Sequence, residues 1–143
     1  MTLHPIVLAI WLTIFLTFAL SIWQGGRAER WAGSLVVVGA LTALAIHRTV
    51  PADLLPMVLL FAEFLLACGF LVLAVRYASL WLGAAMMLQA VQFSLHAWYL
   101  LVERPRDALF STINNIDTVG ILACVLLGCV LAWRRRSGSA LRS

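Results

Sequence analysis

From Leu54 to Val75 the chain reads LLPMVLLFAEFLLACGFLVLAV, a run in which Glu63 is the only charged group. A helix of about 20 apolar residues crosses the hydrocarbon layer of a bilayer. A run of this length belongs either in a membrane or in the core of a large protein, and a chain of 143 residues cannot bury several of them. Four more runs of the same kind follow the same logic: Leu3 to Trp23, Trp31 to His47, Ala78 to Val102 and Thr112 to Trp133. Composition agrees, with 64% hydrophobic and 11% charged residues, where soluble domains carry about 25% charged.

Backbone amides in lipid must be bonded within their own segment, so the runs predict helices. Period-2 alternation is absent, which excludes a transmembrane barrel. The expected fold is an all-α integral membrane protein, a bundle of five transmembrane helices in one domain, 1–143, with residues 134–143 as a basic cytoplasmic tail. Between the spans lie QGGRAER, HRTVPAD, the two-residue break Arg76-Tyr77, and ERPRDALFS. The Arg76-Tyr77 break predicts a tight antiparallel hairpin of spans three and four. Met1 to His4 lack a basic group and no cleavage site follows the first run, so it reads as a retained span.

Five spans put the termini on opposite sides, and the arginines choose the orientation. With the C-terminus inside, Arg27, Arg30, Arg76, Arg134, Arg135, Arg136 and Arg142 are cytoplasmic, against Arg48, Arg104 and Arg106 outside. That bias predicts N-out, C-in. All ten basic residues are arginine, a usage that fits a GC-rich bacterial genome and hence the bacterial cytoplasmic (inner) membrane. The net charge of +4 gathers beside a span, so it reads as an orientation signal and not as a nucleic-acid surface. Trp23, Trp31, Trp98, Tyr99 and Trp133 fall near span ends, where amphipathic rings anchor at headgroup level.

The polar residues inside the runs are where a working site has to be. At about 100° per residue, Gln89, Gln92 and His96 share one edge of the fourth helix with Ala85, and Ser94 points the other way. Glu63 lies mid-span, aligned with Ala67, Phe70 and Ala74. On the fifth helix Asn114, Asp117 and Thr118 cluster toward the outer end, and Gly120, Cys124 and Gly128 permit close helix approach. Depths from the outer end are about 13 Å for Glu63, 9 Å for His96, 15 Å for Gln92, 20 Å for Gln89 and 8 Å for Asp117. Glu63, Gln92, His96 and Asp117 are therefore expected to meet.

An ionised acid at mid-membrane costs at least about 2.5 kcal/mol, and no arginine shares the depth of Glu63. It has to be neutral, hydrogen-bonded, or paired with a protonated His96. The bland alternative makes Gln89, Gln92, Asn114, Asn115 and Thr118 interhelical contacts at about 0.6 kcal/mol each. The sequence favours an accessory or interaction subunit of a larger membrane complex, with a protein partner or a second copy and the lipid bilayer as its surroundings. A proton or small-solute path through Glu63, Gln89, Gln92, His96, Asn114 and Asp117 is the second reading.

A haem or metal site on the outer side is the third, with His4, His47 and His96 as its ligands, although no HxxxH or HxxE spacing supports it. No motif indicates a cofactor, and no GxSxG, P-loop, HExxH or paired-carboxylate pattern indicates an enzyme. Cys68, Cys124 and Cys129 lack CxxC spacing and read as small buried residues.

Overall fold

A computed structural model describes residues 5–103 and 105–140 of the chain. It is all-helical: α1 (Pro5–Trp23), α2 (Arg27–Thr49), α3 (Leu55–Tyr77), α4 (Leu80–Leu101) and α5 (Ala108–Ala140). Three of them, α2, α3 and α5, are long and apolar enough to cross a membrane. The described apolar part of α1 is shorter, Leu8–Trp23, and in α4 the edge of Gln89, Gln92 and His96 brings the hydropathy down.

Each helix end has a local cause. α2 begins four residues before Trp31, because Glu29 in its first turn accepts the Gly26 N–H at 2.8 Å and caps the RAER turn. It stops at Val50, ahead of Pro51, which cannot continue a helix. α5 begins at Ala108, earlier than the apolar run suggests, because the Asp107 carboxylate accepts the Phe110 N–H at 2.9 Å. At its far end α5 runs on through Arg134–Arg136 to Ala140, since arginine favours helix and no proline interrupts.

The hairpin between α3 and α4 turns at Ala78-Ser79, two residues later than the expected Arg76-Tyr77 break. Arg76 and Tyr77 complete the last turn of α3, and Ala78 takes the left-handed conformation, φ 45°, ψ 43°. Its N–H still bonds Ala74 O at 2.9 Å. Left-handed backbone costs an L-residue about 1–2 kcal/mol, a cost glycine escapes. The Ala78→Gly protein is therefore expected to be more stable by about 1 kcal/mol. A thermal melt in detergent checks this, and a lower melting temperature for the glycine variant would contradict the assigned turn.

Chain neighbours pack as antiparallel pairs, α3 with α4 most extensively, and α1 also packs on α5, so the five helices close into a ring. One half of the ring is solid. Phe70, Leu73, Trp81, Leu82, Ala85, Ile121 and Val125 meet Ala32 there in one buried cluster. Close approach is possible because α5 offers glycine: a Cβ at Gly128 would stand 2.6 Å from the Trp81 ring, and one at Gly120 would stand 2.8 Å from Leu88. Gly39 of α2 is likewise covered by Leu66 of α3.

The outer surface is apolar on every helix. Leu12, Leu16, Val38, Phe61, Leu65, Val72, Met87, Val91, Ile116 and Val119 are all exposed. Buried positions include Thr17, Ser21, Glu29, Gln89, Gln92 and Asp117. Polar groups thus line the inside of the ring while hydrocarbon covers the outside.

Candidate functional site

The other half of the ring is hollow. A cavity of about 470 Å³ lies among all five helices, in the half that carries the α2–α3 and α4–α5 connections. Phe70 and Ile121 belong both to its lining and to the solid cluster, so they form its floor. Trp11 and Ile14 of α1 and Leu59 and Leu66 of α3 make its walls apolar.

Into this space project Glu63 from α3, Gln89, Gln92 and His96 from α4, and Asn114, Asn115 and Thr118 from α5. The periodicity of α4 explains its share, because residues three and four apart stack on one edge. Gln89, only 1% exposed, donates its Nε2 hydrogen to Glu63 Oε2 at 2.5 Å. Gln92 Nε2 donates to Asn114 Oδ1 at 3.0 Å. Each bond joins two helices, α3 to α4 and α4 to α5. Both amides are therefore structural contacts and cavity lining at once.

His96 stands beside the acid without bonding it. Its Nδ1 lies 3.8 Å from Glu63 Oε1, outside hydrogen-bond reach, and is buried without a hydrogen-bond partner. The imidazole side chain is only 9% exposed. Its ring stacks on Phe110 with centroids 5.0 Å apart and planes at 22°. Phe110 in turn meets Tyr99 edge-on at 5.0 Å and carries the Arg106 guanidinium 5.1 Å above its ring. Arg106 and His47 both line the cavity. Partial burial lowers the Arg106 pKa, yet a guanidinium keeps its charge at neutral pH.

Five of the six expected site residues, Glu63, Gln89, Gln92, His96 and Asn114, come together in the lining. Asp117 does not. It is 5% exposed on α5, outside the cavity lining, with its Oδ2 lacking a hydrogen-bond partner. Equal depth brought it to the right level, but it stands three residues beyond Asn114, about 60° round the helix. Ser94 turns away, as its position on the wheel requires, and donates back to Ala90 O at 2.8 Å. Arg106, Phe110 and Trp11 were not among the expected site residues. The signal for the first two is Asp107: a cap there starts α5 at Ala108 and places Phe110 in its first turn.

Of the suggested metal ligands, His47 and His96 line the same cavity, while His4 lies outside the described residues. Among the described residues no three His, Cys, Asp or Glu side chains gather closely enough to hold a metal ion. The lining is suited to hydrogen bonding: one carboxyl, two imidazoles, one guanidinium, four neutral amides and a hydroxyl around an apolar-walled space.

The fold and its site define a class, a ring of five helices, three of them long and apolar enough to cross a membrane, around an apolar-walled cavity with polar groups set into it. Comparison with protein-family models, with curated proteins and with solved structures finds no match to this chain.

Proposed function

We propose that this chain is a five-span protein of the bacterial inner membrane, N-terminus outside, whose cavity carries protons or a small hydrogen-bonding solute. The observation that carries the reading is the cavity itself, with Glu63 and His96 3.8 Å apart inside it. A hydroxyl or amide group set to one side of the pair can reach both at bonding distance. Gln92 and Asn114, which also line the cavity, bond each other directly at 3.0 Å, whereas Glu63 and His96 do not.

Membrane embedding is supported by the apolar outer face of every helix, since soluble monomers rarely expose an apolar patch beyond a few hundred Å². Orientation rests on the arginines. Arg27, Arg30, Arg76 and Arg134–Arg136 gather at the solid end, and Arg48 and Arg106 lie at the cavity end. The cavity then opens outward.

The second reading, an accessory subunit, draws on the interhelical bonds Gln89–Glu63 and Gln92–Asn114. The glycine faces that a partner helix could have used at Gly39, Gly120 and Gly128 are occupied inside the chain by Leu66, Leu88 and Trp81. For that reason the solute reading is preferred. Vesicles with the reconstituted protein separate the two. A faster collapse of an imposed pH gradient, or faster swelling with small amides and polyols, than in protein-free vesicles supports the carrier. Protein-free rates in both assays, together with copurification of a fixed partner at every detergent level, support the subunit.

A further inference from the structure

At the solid end of the ring a second concavity, of about 550 Å³, lies between the start of α2 and the end of α5. Arg27 and Arg30 from the first turn of α2 line it, as do Arg135 and Arg136 from the extension of α5. The extension matters, because only a helix that continues past Trp133 brings the last two arginines to this place. One acid stands in the lining, Glu29, and one of its oxygens is already engaged by the Gly26 N–H at 2.8 Å. Four arginines therefore border a space whose lining contains a single carboxylate.

Two further observations give this charge a chemical meaning. Ser79 lines the same concavity, and its hydroxyl is buried without a hydrogen-bond partner. The space also adjoins the amino end of α2, a 23-residue helix, where free N–H groups and the helix dipole favour an anion. A planar guanidinium fork pairs bidentately with a carboxylate or a phosphate, and a phosphate, with more oxygens, can take more than one fork at once, which chloride cannot.

We infer that this concavity binds a phosphate group held by Arg27, Arg30, Arg135 and Arg136, supplied by an anionic phospholipid headgroup or by free phosphate. Its level favours the lipid. Trp23, Trp31 and Trp133 are exposed at the same end of the bundle, at 78%, 61% and 52%, where indole rings mark the headgroup layer. The phosphate chemistry stands independently of the carrier reading, and only the lipid source rests on membrane embedding.

The test uses the full chain in maltoside detergent micelles, which carry no phosphate, read by melting temperature and by fluorescence of Trp81 and its neighbours. Added phosphatidylglycerol is expected to raise the melting temperature saturably, and high salt to weaken the effect. Arg27→Gln and Arg135→Gln should each shift the midpoint about fivefold to higher lipid. Arg134→Gln, outside the lining, should not. A response to millimolar inorganic phosphate equal to that to the lipid keeps the site and makes the free anion its source. No response of the wild-type protein to either probe overturns the inference, even if the substituted proteins fail to fold. So does an Arg134→Gln effect as large as that of the lining residues.

Discussion

Vesicles carrying the Glu63→Gln protein are expected to hold an imposed pH gradient as long as protein-free vesicles do, while the protein itself melts within a few degrees of wild type. The amide has the size of the carboxyl it replaces, and its oxygen can still accept the Gln89 Nε2 hydrogen that now goes to Glu63 at 2.5 Å. What it cannot do is gain and lose a proton. The fold is thus kept and the chemistry removed. Glu63→Leu is the contrasting variant, since it deprives Gln89, 1% exposed, of its acceptor. An unmet buried amide costs about 1–3 kcal/mol, so the leucine protein should melt lower as well as lose flux. If Glu63→Gln collapses the gradient as fast as wild type, proton carriage through Glu63 is wrong, and the amide-lined cavity is left with uncharged solutes alone.

The second large effect is structural and reaches the site from outside it. Asp107 Oδ1 accepts both the Phe110 N–H at 2.9 Å and the hydroxyl of Tyr99 at 2.7 Å. Tyr99 is 6% exposed, so removing its acceptor takes a charge-assisted hydrogen bond away from a buried phenol. Loss of an N-cap costs about 1 kcal/mol, and loss of a hydrogen bond to a charged acceptor adds about 1.5–3 kcal/mol. Asp107→Ala should therefore destabilise the protein by about 2–4 kcal/mol, seen as an earlier melt and faster amide exchange over the first turn of α5. Asp107→Asn retains an oxygen acceptor and should recover most of the loss. Since His96 rests on Phe110, the alanine protein should also bind or carry solute less well at temperatures where it is still folded. Unchanged amide exchange at the start of α5 would contradict the capping role.

Much of this arrangement is legible in the amino-acid sequence, for reasons that differ residue by residue. Gln89, Gln92 and His96 are readable because helical periodicity alone puts them on one edge, and the connection to α3 leaves Glu63 no distant place to go. Helix ends were harder, because hydropathy reports where a chain is apolar and not where its backbone is helical. Glu29 and Asp107 extend α2 and α5 beyond their apolar runs by bonding single N–H groups, an effect invisible to an average over a window. Asp117 illustrates a different limit. Its depth followed from counting residues, but its direction depends on how far α5 is rotated against α4, which Gly120 and Gly128 decide by letting Leu88 and Trp81 approach. The cavity itself could not be read from the sequence, since a void is a property of five helices closing on each other through α1 and α5.

The floor under the cavity has a kinetic consequence. Phe70, fully buried, and Ile121, 4% exposed, seal the polar half from the solid half. Whatever occupies the space next to Glu63 can return by the mouth, but it cannot continue without the helices shifting. On the proposed carrier reading, traffic advances one occupant per rearrangement, so its rate is expected to saturate with concentration and to rise steeply with temperature. An open pore shows neither property, so under the carrier reading the parting of those two side chains is the step that limits flux.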